Sequence, residues 1–201
     1  VSATGDVLVE TGAGDITLAK SIATDSTSST AITLNAGDST VAGTDTGGNI
    51  VISGSPTLTT GTGGIVRLFS GSEADSTGLT ALAGGASNTY FGVDETSTPS
   101  PALSSGTTYA LYRGKETPQL ASLNNQSVTV GASNATLTAP SATNKTSGSV
   151  AGSTTWSSSN SSVASISGST LTYGSAGTAV ITATFTPTDT ATYQPATTTF
   201  T

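Results

Sequence analysis

Two sets of side chains in this sequence could do chemistry. One is the carboxylates of Asp6, Asp15, Asp38, Asp45, Glu73 and Asp75; the other is the rings of Tyr90, Phe91, Tyr109 and Tyr112. Paired carboxylates can act as acid and base in cleaving sugar chains, and lyases add Lys or Arg to such clusters. Here Lys20 and Arg67 are the only cations before residue 113. Asp6 and Asp15 also adjoin turn glycines, where a carboxylate commonly bonds nearby backbone amides. The chain contains no His, Cys or Met, which removes imidazole bases, thiolate nucleophiles, disulfides and the usual ligands of zinc, copper and haem. No catalytic residue, metal site or cofactor is assigned, and the chain is expected not to be an enzyme.

Oxygen ligands alternate along Glu73-Ala74-Asp75-Ser76-Thr77 as they do in calcium loops, and Gly12-Ala13-Gly14-Asp15 faintly matches calcium-binding solenoid repeats. A calcium array needs its aspartate in successive turns, and neither stretch recurs. Asn125, Asn134, Asn144 and Asn160 each begin an Asn-x-Ser/Thr sequon. In a chain this rich in Ser and Thr such triplets arise by chance and do not argue for N-glycosylation. The four rings allow two readings: a cap over the end of a repeat stack, which the sequence favours, or a platform that stacks on sugars.

The elements that must position these residues are strands. Ser and Thr make up roughly 37% of the chain, whereas charged residues are 8%. Thr, Val and Ile suit a pleated surface, and Gly supplies turns between strands. No apolar stretch approaches the roughly twenty residues of a spanning helix, so no membrane insertion is expected. All the excess negative charge behind the net −7 resides before residue 113: ten carboxylates face Lys20 and Arg67 there, while Glu116 and Asp189 face Arg113, Lys115 and Lys145 beyond. Neither half is basic, so no nucleic-acid partner is expected. Absence of oxidisable sulfur fits an inert extracellular protein. The opening at Val1, inside the repeat pattern, is expected of a segment from a longer, exported polypeptide.

The repeat is Gly/Thr-x-Val/Ile-x-Leu/Ile/Val: Gly5-Asp6-Val7-Leu8-Val9, Gly14-Asp15-Ile16-Thr17-Leu18, Thr30-Ala31-Ile32-Thr33-Leu34, Gly48-Asn49-Ile50-Val51-Ile52 and Gly64-Ile65-Val66-Arg67-Leu68. From the second copy onward they recur roughly every sixteen to eighteen residues, the signature of a solenoid whose units are protected only by stacking. Apolar residues two apart share one face of a strand, so these pairs are expected to pile into columns with rungs about 4.8 Å apart. The interval from Val7 to Ile16 is too short for a full turn. Either the two lie on different faces of one coil or the first coil is irregular.

Residues 1 to 78 resemble the secreted haemagglutinin-type adhesins, on the recurring Gly-Asp-Val/Ile-x-Leu together with Gly48-Asn49-Ile50-Val51-Ile52. The resemblance implies a right-handed parallel β-helix, here of about four turns. The repeat stops at Leu79. The aromatic stretch that follows is expected to cap the last coil (about 79–112), completing a first domain over residues 1–112.

Residues 113–201 read as a short linker and then seven short strands: 127–130, 135–138, 154–157, 163–166, 170–173, 179–185 and 197–200. Such spacing predicts a β-sandwich, with Trp156 at its centre and Leu137, Val163, Ile166, Leu171, Val180 and Phe185 around it. The stretch from Trp156 to Gly168, followed by Gly174 to Thr184, resembles the bacterial immunoglobulin-like repeats of surface adhesins and intimin-type proteins. That resemblance covers nearly all of residues 118 to 201 and implies a spacer or display module with no motif-borne site. Together the two resemblances imply a stalk or spacer segment of a large bacterial extracellular adhesin or surface fibre at the cell surface. Its expected partners are flanking modules of the same polypeptide or identical subunits, with surface glycans if Tyr90, Phe91, Tyr109 and Tyr112 bind sugar. The alternatives are a self-assembling filament subunit and a carbohydrate-binding module.

Overall fold

The computed structural model describes all 201 residues, which divide into two units, Val1–Glu116 and Thr117–Thr201. In the first unit every strand pairing is parallel. Strand β1 (Ser2–Ala3) is followed by β2 (Val7–Thr11), β3 (Ile16–Leu18), β4 (Ile22–Thr24), β5 (Ile32–Ala36), β6 (Ile50–Ile52), β7 (Leu58–Thr59) and β8 (Val66–Ser70). Then come a helical turn α1 (Leu79–Leu82), a 3-10 turn (Ala86–Asn88), β9 (Thr89–Phe91) and β10 (Thr108–Tyr112). They form three sheets, ordered β1-β4-β7, β2-β5-β8-β10-β9 and β3-β6. This is an all-β arrangement of the β-helix kind.

The register decides what the repeat means. Val7 pairs with Ile32 and Ile32 with Val66, with Val9, Leu34 and Leu68 two residues on. Ile16 pairs instead with Ile50, and Leu18 with Ile52. The motif therefore falls twice per coil, on two different sheets, and this explains the short opening interval. Five motifs make three rungs of the main sheet and two of a side sheet, rather than about four turns. A period near seventeen arises because the coil is about twice that: Asp15 and Asn49, in equivalent places, are 34 residues apart.

The apolar columns are dry where a coil lies on both sides. Ile32, Leu34, Ile50, Val66 and Leu68 are buried in one cluster with Leu18, Ile22, Leu79, Ala110 and Tyr112. On the first rung, with a neighbour on one side only, inward Val9 is still 40% exposed, and Leu8, which alternation turns outward opposite Thr33, is 61% exposed.

Residues 79–112 do not form an aromatic cap. Strand β10 enters the main sheet beside β8, pairing Thr108 with Val66 through to Tyr112 with Ser70, and β9 lies outside it. Along β10, Ala110 and Tyr112 face the main core, while Tyr109 and Leu111 pack with Ile65, Phe69 and Val93 on the other side. A strand covered on both faces reads as continuous apolar sequence, and that pattern resembles a cap when topology is unknown. Arg113, expected to open the linker, is fully buried in this unit.

The second unit is antiparallel. It contains β11 (Gln119–Leu120), β12 (Ala135–Thr136), β13 (Ala142–Thr143), β14 (Gly152–Ser158), β15 (Ala164–Ser167), β16 (Thr170–Tyr173), β17 (Ile181–Pro187) and β18 (Ala196–Phe200). Sheets β12-β16-β15 and β14-β17-β18, with the pair β11-β13, give an immunoglobulin-like layout. Three expectations change. Residues 127–130 form no strand. Val180 is exposed, because Ile181, Ala183 and Phe185 take the inward face of β17 and period-two alternation turns Val180 outward. Trp156 is half-buried at the side of the core, edge-on to Phe200 at 6.4 Å, and the centre belongs to Leu171 and Ile181.

Candidate functional site: polar columns of the first unit

The motif's polar residues join one coil to the next. The carboxylate of Asp15 accepts the backbone N–H of Asn49 at 2.8 Å, and the side-chain oxygen of Asn49 accepts the N–H of Ser72 at 2.9 Å. On the side sheet the position before each inward Ile, Ile16 and Ile50, thus carries an acceptor aimed along the stack. The glycine before it is required by space: a Cβ on Gly48 would lie 2.0 Å from the carbonyl oxygen of Gly14. Gly71 N–H donates to Gly48 O at 2.9 Å, Gly114 N–H to Gly71 O at 2.8 Å, and Gly92 N–H to Gly114 O at 3.0 Å. A glycine thread runs through the coils.

Asp6 sits at the other motif glycine and receives hydroxyls from Ser26, Thr30 and Ser28, all from the following coil. Those donors, Ser26 foremost, lower its pKa below the usual carboxylate value. Asp94 is buried. Burial alone pushes its carboxyl up, but the backbone N–H of Ala42, the hydroxyls of Thr96 and Ser97 and the N–H of Thr96 outweigh it and hold the pKa at about 2. Asp94 thereby ties the loop at Ala42 to the end of β9.

Arg113, one residue past β10, places its guanidinium inside the stack. It donates to Ala36 O at 2.7 Å, to Asn35 Oδ1, and to Glu95 at 3.3 Å. Its Nε and Asn35 Nδ2 have no partner. Sequence reading missed this clamp. A lone Arg beside Gly114 gives no signal by spacing, since its partners on β5 lie 77 and 78 residues away.

The residues singled out for chemistry are dispersed. Asp75 accepts the Ser72 hydroxyl at 3.0 Å, Glu73 accepts that of Thr80 at 3.2 Å, and Asp38 donates its backbone N–H to Thr11 O. Asp45 is exposed. No group of three or more acidic side chains comes together in a way that could hold a metal ion. The four rings separate into two pairs on opposite faces of the sheet: Phe91 stacks on Tyr112 at 5.3 Å, and Tyr90 meets Tyr109 edge-on at 5.8 Å. Phe91, Tyr109 and Tyr112 are buried. Burial pushes the Tyr112 phenol up to about 12, against the opposing pull of its bond to Thr80 at 2.9 Å. Only Tyr90 is half-exposed, and its hydroxyl donates to Pro101 O. What this arrangement does chemically is cohesive: carboxylates, amides and one guanidinium hold successive coils in register. No helix is long and apolar enough to cross a membrane. Comparison with protein-family models, curated proteins and solved structures finds no match for the chain.

Proposed function

We propose that the chain is a structural segment of a large bacterial extracellular adhesin or surface fibre, acting as stalk or spacer. The observation that carries this reading is the coil-to-coil ladder of the first unit. Its apolar columns are dry, and the polar groups along it bind the next coil. An immunoglobulin-like second unit with its own core suits the same role. Stacked strands of the first unit should resist proteases, because cleavage within them requires the coil-to-coil ladders to open first. Digestion with proteinase K, followed by mass spectrometry, tests it. A fragment near Val1–Glu116 should outlast an unfolded control by orders of magnitude, and its rapid conversion to short peptides would remove the reading.

A second reading, a self-assembling filament subunit, is favoured by one feature: β1, β2 and β3 are edge strands, and Val1, Leu8 and Val9 are exposed beside them. Electron microscopy of the isolated chain separates the two, since a spacer stays monomeric. Recognition of glycans by the aromatic segment has less support, because three of its four rings offer no open face.

A further inference from the structure

All four Asn-x-Ser/Thr sequons fall in the second unit, and the fold treats their amides differently. Asn144 is locked. Its Oδ1 accepts the N–H of Thr146 at 3.1 Å, the hydroxyl of Thr146 at 2.9 Å and the N–H of Gly148 at 2.7 Å, while its Nδ2 donates to the Tyr193 hydroxyl at 3.3 Å. Asn160 closes a turn: its Oδ1 accepts the N–H of Ser162 at 3.1 Å, and its carbonyl accepts the N–H of Ala164 at 2.9 Å. Asn125 Oδ1 accepts the N–H of Thr201 at 2.9 Å. The side chain of Asn134, by contrast, is exposed and makes no hydrogen bond within the protein. Asn134 stands one residue before β12, where Ala135 and Thr136 pair with Leu171 and Thr170. The sequon is therefore extended as it enters the strand, and in an extended chain residues two apart share a side. Thr136 is exposed and Ala135 is half-buried, so the Asn134 amide and the Thr136 hydroxyl face solvent together.

We propose that Asn134 is a glycan-attachment site, receiving a sugar in N-linkage from a sugar diphosphate through an enzyme specific for Asn-x-Ser/Thr. Transfer forms a bond from Asn134 Nδ2 to the anomeric carbon and breaks that carbon's bond to the diphosphate oxygen. The diphosphate leaves with the electron pair, and the amide loses one proton. To act as acceptor, the nitrogen must be drawn out of the fold into the enzyme. At Asn134 nothing has to break first, whereas Asn144 must give up four hydrogen bonds. A bulky, solubilising sugar also needs open surface around its asparagine, and Asn134 has it.

The test incubates the folded full chain with a soluble glucosyltransferase of that specificity and uridine diphosphate glucose, and locates the hexose by peptide mass spectrometry. Hexose should appear on Asn134 at least about tenfold faster than on Asn144, whose sequon also ends in Thr. Two short synthetic peptides carrying Asn-Ala-Thr and Asn-Lys-Thr should not show that preference. Asn134→Gln, at an exposed position, should keep the melting temperature and abolish the fast incorporation. An unmodified Asn134 in the folded chain, equal or faster incorporation at any other sequon, or peptides that reproduce the same preference would each overturn the proposal.

Discussion

Three residues of the first unit, Gly48, Arg113 and Asp94, carry consequences out of proportion to their size. Gly48→Ala places a methyl on the Gly14 carbonyl, inside van der Waals contact. The coils must part there, and the expected loss is about 3 kcal/mol or more, read as a fall in urea midpoint. Arg113→Met leaves Ala36 O, Asn35 Oδ1 and Glu95 without their shared donor. The two buried acceptors left unpaired cost about 1–3 kcal/mol each, while the exposed carboxylate of Glu95 is rehydrated, and Arg113→Lys should rescue little, because an ammonium lacks the planar fork that reaches both acceptors on β5. Asp94 sets a pH dependence. Its folded pKa of about 2 lies below the unfolded value of about 3.9. Its contribution is therefore fully present above about pH 4 and is lost as pH falls through 2. Acid melts of Asp94→Asn should lose that limb of the curve while the near-neutral melt shifts in parallel.

At the level of strands, alternation and stacking position separate residues that composition treats alike. Leu34 and Leu8 are both Leu in a motif copy, yet one is 1% exposed and the other 61%. Leu34→Ala is expected to cost about 2–5 kcal/mol and Leu8→Ala less than about 0.5 kcal/mol, measured by chemical denaturation. Ile50→Asp buries an unpaired carboxylate in the same cluster and should abolish cooperative melting of the unit. The inward pairs and the solenoid logic were legible because a period of two within a strand is local. The doubling of the motif per coil was not, since the pairing of Ile16 with Ile50 instead of Ile32 depends on which sheet each strand joins. The same holds for Arg113 and for β10, whose meaning comes from partners far away in the chain. In the second unit Val180 could have been placed from sequence: it is one residue from Ile181 and five from Phe185, so it shares a face with neither.

For the whole chain, two units with separate cores predict two separable unfolding events. Trp156 is the only tryptophan and lies in the second unit. Its fluorescence should follow that unit alone, while Gly48→Ala should move the circular-dichroism transition of the first and leave the fluorescence transition in place. Coincident shifts in both probes would show that the units unfold as one.

The glycine thread from Gly48 through Gly71 and Gly114 to Gly92 has a last implication. Its bonds, like those of the ladders beside it, point along the stack and across the strands. Tension applied along that direction loads one rung at a time, so the first unit should peel open in a succession of small, low-force steps and dissipate a sudden pull gradually instead of snapping.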